Sequence, residues 1–409
     1  LDPLPGFFDT ADTKTPATPV KPFASPMEMM RNWPSFRGYR SLGIAYAAEP
    51  VVGWNGTNGK NILWKTPIPK PGPNSPVVWD RLVFLSGADS RAREIYCLDM
   101  NTGTIIWTVN TGMGSEISIP EVGEDTSLAA PTVATDGRFV AAIFATGELL
   151  IVDFDGTIVA NRKFETPDNT YGHASSLVTY RGMLFVQYDH AGGAKLLAFN
   201  MATGEKVWEQ ERAVETSWSS PVLVPAGQTD QLVLSAYPLV IGYDPPTGQA
   251  LWQLEEVVDG EIGPSPAFSD GRLYLTNLFS VLSCIDIASR EVLWKYEDNL
   301  PDASSPVATK DYLILPSSYE KVSFFDAKTG ELYWEHRFDT GFYSSPVVAD
   351  GKVYLIDKKG VARIFALDKT FTVIADSPLG EPCTATPAFV GDKILVRGEK
   401  NLYCIGKTE

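Results

Sequence analysis

The sequence predicts an all-β fold: a single closed eight-bladed β-propeller of four-stranded antiparallel blades, its last blade completed by an N-terminal strand. Three observations predict it. One strand-forming stretch recurs eight times at a blade-sized period. A turn-plus-tryptophan motif recurs beside it. The two ends of the chain each hold a fraction of a blade.

The recurring stretch is clearest as SSPVVADGKVYLI from Ser344. Its counterparts begin at Asn74, Ala129, Ser175, Ser219, Pro264, Ser304 and Ala385. Aligned on the proline position (Leu177 in the third copy), they fall at 76, 131, 177, 221, 266, 306, 346 and 387. A period of about 40–45 residues with this content marks a four-stranded propeller blade. The seventh copy lays out the strands: Ser345 to Val348, Lys352 to Ile356, Val361 to Leu367 and Thr372 to Ile374, with turns at Asp350-Gly351 and Asp357–Gly360. Proline in the first strand fits an edge position, and a blade's innermost strand is an edge.

Between the third and fourth strands comes Asp, two residues, Thr-Gly, three residues, Trp. It reads Asp99-Thr102-Gly103-Trp107, Asp244-Thr247-Gly248-Trp252 and Asp326-Thr329-Gly330-Trp334, softened to Asn200…Trp208 and to Asp286-Ser289-Arg290-Trp294. An Asp or Asn oxygen there accepts a backbone N–H two residues on, and Gly supplies positive φ. The tryptophan is then fixed on an outer strand, placed to bury against the neighbouring blade. Trp64, Trp107, Trp208, Trp252, Trp294 and Trp334 are six of the ten tryptophans, all at this docking position. The second and seventh repeats, from Asp153 and Asp368, hold degenerate versions.

The ends explain each other. The last copy supplies three strands, near Thr386–Val390, Lys393–Arg397 and Leu402–Ile405. Asn61 to Ile68, carrying Trp64, is an outer strand with no blade before it. Pairing the two closes the ring and removes an open edge. The expected organisation is a Pro-rich extended tail over 1–31, a segment packing on the propeller over 32–60, and the propeller itself over 61–409.

Composition bounds the function. With 44% hydrophobic and 21% charged residues, the 409-residue chain can bury a core. Its net charge of -16 argues against nucleic acid and against docking on an anionic membrane. No apolar run reaches the length of a transmembrane span. Four cysteines without a CxxC pair, and three histidines, give neither a disulfide scaffold nor a structural zinc site. The first residue is Leu1 rather than Met, as left by a removed signal peptide or a trimmed chain.

These repeats, over 61 to 409, resemble the pyrroloquinoline-quinone-type propeller family with its tryptophan-docking motif. The resemblance implies three branches: quinoprotein alcohol dehydrogenases with quinone and calcium in the funnel, the cofactor-free outer-membrane assembly lipoprotein, and secreted bacterial propellers of unassigned function. The WPSFRG segment from Trp33 is similar to the last group. All three imply a periplasmic or secreted location. The dehydrogenases' vicinal cysteine pair is absent here, since Cys97, Cys284, Cys383 and Cys404 are never adjacent.

The candidate sites follow from the blade assignment. Cys97, Cys284 and Cys404 share one place on the third strand, where a small buried residue is the simplest reading. Cys383 lies in a loop before the last repeat, where it could be exposed. The loops entering the first strands offer Glu116, His173, Trp218, Glu261, Asp302, Tyr343 and Glu381 to the funnel mouth. Those joining strands two and three include Asp189, His190, Asn277 and Tyr319. His173 and His190 are expected on one face of one blade, with Asp189 able to orient an imidazole or share a metal. His173, Asp189, His190, Trp218 and Tyr343 are the funnel-mouth ligand candidates, against the plain alternative of a solvated rim. The expected function is a non-catalytic extracytoplasmic scaffold presenting loops to a protein or glycan partner, with no cofactor. The alternative is a quinone-dependent dehydrogenase using pyrroloquinoline quinone with calcium, or another funnel-sited hydrolase or lyase.

Overall fold

The computed structural model describes residues 23–46, 48–112, 119–123, 126–227 and 229–408. The first 22 residues of the expected tail, and Glu116, lie outside the described residues. Eight antiparallel blades are arranged as expected, and each is numbered here by chain order. Blade 1 consists of Val77–Trp79, Leu82–Ala88, Arg93–Asp99 and Ile105–Asn110. Blades 2 to 7 span 134–163, 178–212, 222–255, 267–296, 307–337 and 347–378. Blade 8 takes Ala388–Val390, Lys393–Arg397 and Asn401–Ile405 from the C-terminal end and Ile62–Pro67 from the N-terminal end. Trp64 stands opposite Cys404 in that closing antiparallel pair.

Burial grades outward along each blade. The first strands are buried on both sides, as in Val77–Trp79 and Val347–Ala349. The fourth strands alternate half-buried and exposed residues, as in Ile62–Pro67 and Ile105–Asn110. This is why inner strands read as continuous apolar runs and outer strands alternate with period two.

The docking motif works between blades. Asp99 Oδ1 accepts the N–H groups of Asn101 and Thr102, and Gly103 turns the hairpin with φ 72°. The tryptophan of the preceding blade then lies on that glycine. Trp64 covers Gly103, Trp208 covers Gly248 and Trp294 covers Gly330. The indole Nε1 of Trp64 donates to Met100 O, that of Trp107 to Phe154 O, and that of Trp208 to Pro245 O, at 2.9–3.1 Å. Trp334 donates to Asp368 O at 3.2 Å, so the degenerate repeats still receive a tryptophan. Each motif tryptophan sits at or beside a register shift in the third-to-fourth strand ladder, which re-aims its ring.

Trp252 departs from this pattern. Blade 5 offers Arg290 where blades 1, 3, 4 and 6 have glycine, and Trp252 instead donates to Gln231 Oε1 of its own blade at 2.5 Å. Three further expectations are corrected. The fourth strand of blade 7 runs Val373–Pro378, beyond the expected end at Ile374. In blade 2, Ala134 pairs with Ala141 as Val77 pairs with Phe84 in blade 1, so Val133, and not Pro131, holds the proline position. The stretch expected to be extended tail contains a short helix, Pro26–Arg31, because Ser25 and Glu28 form a reciprocal capping box and Pro26 is pre-set at its first turn.

A hydroxyl relay ties neighbouring blades around the channel. The residue before each proline position accepts the corresponding N–H of the preceding blade. The links run Ser75 N to Thr132 Oγ1, Thr132 N to Ser176 Oγ, Ser176 N to Ser220 Oγ and Ser220 N to Ser265 Oγ. They continue from Ser265 N to Ser305 Oγ, Ser305 N to Ser345 Oγ and Ser345 N to Thr386 Oγ1, all at 2.8–3.1 Å. Between blades 8 and 1 the buried Arg397 bridges instead, donating to Asn74 Oδ1, Ser86 O and Lys70 O.

The segment before the ring lies across its lower end, where first and second strands turn. Trp33 exchanges both backbone hydrogen bonds with Val78 of blade 1, and Pro34 O accepts from Thr135 of blade 2. Arg40 pairs with Asp230 of blade 4. Ile44–Ala45 then adds a parallel fifth strand to the inner edge of blade 7, opposite Val348 and Ala349.

Candidate functional site

The upper face carries the loops entering each first strand and the turns between strands two and three. Blade 3 brings His173 and His190 to one residue. Both rings flank Tyr188, at centroid distances of 5.1 and 5.2 Å. Neither histidine is exposed: His173 is 1% and His190 4% accessible. Burial holds His173 neutral, its pKa lowered to about 3, and lowers that of His190 as well. His190 Nδ1 accepts the Gly192 N–H at 3.1 Å, so in the neutral ring the proton sits on Nε2.

Asp189 does not orient an imidazole. Its carboxylate accepts from Arg212 Nε at 2.9 Å and Gln187 Nε2 at 2.7 Å, in a fully buried ion pair, and Arg212 reaches on to the Tyr243 hydroxyl. Strand alternation is the reason: Asp189 and His190 are successive residues of one strand and face opposite sides. Among the described residues no three His, Cys, Asp or Glu side chains converge as a metal-ligand set. His173, Asp189 and His190 therefore do not converge as one ligand set.

The other rim candidates are placed as follows. Trp218 is half-buried, donates through Nε1 to Gly172 O at 2.9 Å and meets Tyr171 at 5.3 Å. Tyr343 lies under the ammonium of Lys358, 4.5 Å from its ring centroid. Cys383, placed in a loop by the sequence, is buried and donates to Arg397 O at 3.2 Å. Cys97, Cys284 and Cys404 are buried as well, and burial pushes all four thiols up to about 12. A calcium-held quinone finds no fit among the described residues: no acids or thiols converge there as a ligand set, and the four cysteines are separate and buried.

What the upper face does present is aromatic surface on blades 5 and 6. Phe279 is 92% exposed and held at φ 58°, a conformation in which a bulky side chain is strained. Tyr319, 56% exposed, occupies the same turn position one blade on, three residues after the second strand. Exposed Asp259, Glu261 and Asp298 stand on the loops entering those two blades, and Asp302 accepts from Ser318 beneath Tyr319. Tyr319 was in the sequence-derived rim set. Phe279 was missed, although superposing the repeats puts it directly over Tyr319.

Comparison with known proteins decides the family. The family model described as outer membrane protein assembly factor BamB matches residues 44–189, 192–325 and 301–400, most of the chain. This chain belongs to the BamB family. The BamB of Burkholderia pseudomallei (strain K96243) is 24% identical over 360 residues, covering 82% of this chain and 84% of that protein. The crystal structure of BamB from Moraxella catarrhalis superposes with a TM-score of 0.63 at 15% identity, over 84% of this chain and 99% of that one. A europium-containing methanol dehydrogenase superposes at 0.68 with 12% identity, over 92% of each chain. At such identities the structural likeness extends to the ring alone, so the sequence match assigns the BamB branch. In this BamB-family chain no helix among the described residues is long and apolar enough to cross a membrane.

Proposed function

We propose that this protein is a non-catalytic, extracytoplasmic scaffold that holds a protein partner on the upper face of blades 5 and 6. The observation that carries the reading is Phe279, almost wholly exposed at a strained backbone position, with exposed Tyr319 at the equivalent turn position of the next blade. A bulky aromatic held in solvent at a strained backbone position costs stability in the free protein, and burying its ring against a partner's apolar side chain offsets that cost. The acids around it suit a segment carrying lysine or arginine beside its apolar anchor. Membership in a family named for outer-membrane protein assembly supports a periplasmic or outer-membrane setting and a protein rather than a glycan partner.

The test is photo-crosslinking in the native host, with a benzophenone side chain at position 279 and, as control, at exposed Ile106 on an outer strand. A discrete crosslinked protein from 279, absent from 106 and competed away by nothing smaller than protein, is the expected result. No adduct at 279, or the same adduct at both positions, overturns the reading. So does turnover of an alcohol by the purified chain supplied with quinone and calcium.

A further inference from the structure

At the lower end of the channel a guanidinium sits among backbone carbonyls with no acid beside it. Arg37 is fully buried. It donates through Nη1 to Pro266 O at 3.0 Å, and through Nη2 to Pro306 O and, at 3.5 Å, to Leu42 O. It forms no ion pair with a described carboxylate, in contrast to the buried Arg212, which has Asp189. Pro266 and Pro306 occupy the proline position of adjacent blades 5 and 6. The third in the series, Pro346, has its carbonyl 3.1 Å from where a Cβ of Gly43 would stand; Arg37 Nε is 3.5 Å from that same point and is itself buried without a hydrogen-bond partner.

The chemistry of this end is one-sided. Proline has no N–H, so the repeated proline gives each of these first strands an acceptor without a competing donor. Several carbonyl dipoles aimed at one point in a low dielectric favour a cation. Two acceptors on separate blades suit a planar fork better than a compact ammonium. The occupant is delivered by a segment with its own anchors on either side, Trp33 on Val78 and Arg40 on Asp230.

We propose that the lower channel, at the carbonyls of Pro266 and Pro306, is a guanidinium-binding site, and that Arg37 fills it as a tethered plug closing the channel from that face. The ligand class is a guanidinium borne on an extended chain. The proposal is independent of the upper-face reading.

Chemical rescue tests it in the full chain. Arg37→Ala removes the atoms of ethylguanidinium, so that cation can be supplied back. The expected result is a lowered unfolding midpoint in the variant, raised again by at least about 2 °C with millimolar ethylguanidinium. Ethylammonium should not raise it, and neither cation should raise the wild type. Equal rescue by the two cations, no rescue, or an unchanged midpoint in Arg37→Ala overturns the site. If Arg37→Ala is recovered only unfolded, refolding yield with each cation gives the same discrimination. Arg37→Lys adds an independent arm: it should be as destabilised as Arg37→Gln, and a lysine variant matching wild type would overturn the fork.

Discussion

Trp64 and Gly103 meet face to face across the seam between the last blade and the first: a Cβ added to Gly103 would stand 2.5 Å from the indole ring. The same glycine has φ 72°. Two costs are therefore combined at one residue, and they can be separated. Gly271 has φ 78° and open space around its Cβ position. Gly271→Ala should lose only the left-handed backbone cost, about 1–2 kcal/mol. Gly103→Ala should lose that and a further 1–3 kcal/mol or so for overpacking the tryptophan. Urea midpoints of the two variants decide it, and equal losses would mean that the indole gives way freely.

The hydroxyl relay makes a prediction at Ser265. Its Oγ accepts from the buried Ser220 N–H at 2.9 Å. Ser265→Ala leaves that donor unpaired and should cost about 1–3 kcal/mol. Thr at the same position keeps the acceptor, as Thr132 and Thr386 do in their blades. Ser265→Thr should hold most of the stability in the same unfolding assay.

Acid should weaken the fold through the blade 3 histidines. Burial lowers both pKa values, so the folded state binds fewer protons than the unfolded chain once pH drops below about 6.5. The contribution of His173 is fully present above that pH and is lost progressively toward pH 3, and His190 adds a loss of the same sign. Each group can contribute a slope of up to about 1.4 kcal/mol per pH unit. Urea unfolding from pH 7 to pH 4 should show the decline, and His173→Phe should flatten it. An unchanged slope in the variant would locate the acid sensitivity in the carboxylates instead.

The four thiols should be silent in the native protein. All are buried and pushed up to about 12. An aromatic disulfide reagent at pH 8 should titrate none before denaturation and four after it. Rapid reaction of one thiol would point to Cys383, whose loop would then have to open.

Much of this architecture was legible because a repeat reports each position several times. Blade number, strand order, the hairpin with its Asp and Gly, and closure by the strand around Trp64 all come from comparing copies. Where a single copy departs, the signal fails. Pro131 masqueraded as the repeat proline because blade 2 carries an altered entry, and only strand pairing with Ala141 sets the register right. Trp252 looked like its siblings, but its indole turns to Gln231, 21 residues back in its own blade. The rim was harder still. Whether His190 and Asp189 cooperate depends on which side of the strand each faces and on Arg212, which is 23 residues from Asp189 in the chain. Arg37 could be seen only as part of a segment on the ring, since its acceptors are carbonyls and carbonyls leave no mark in a sequence.

The pairing of Ile62–Pro67 with Asn401–Ile405 also orders events in time. A strand made early has no partner until roughly 340 further residues have been synthesised, which takes on the order of tens of seconds. Throughout that interval the apolar face carrying Trp64 and the groove awaiting it on blade 8 are both bare or unmade. The nascent protein therefore has a defined period of vulnerability that ends once Asn401–Ile405 has been made and paired. A chain stopped short by even the final strand is left as an open, sticky arc, and quality control has a sharp boundary between that arc and a finished molecule.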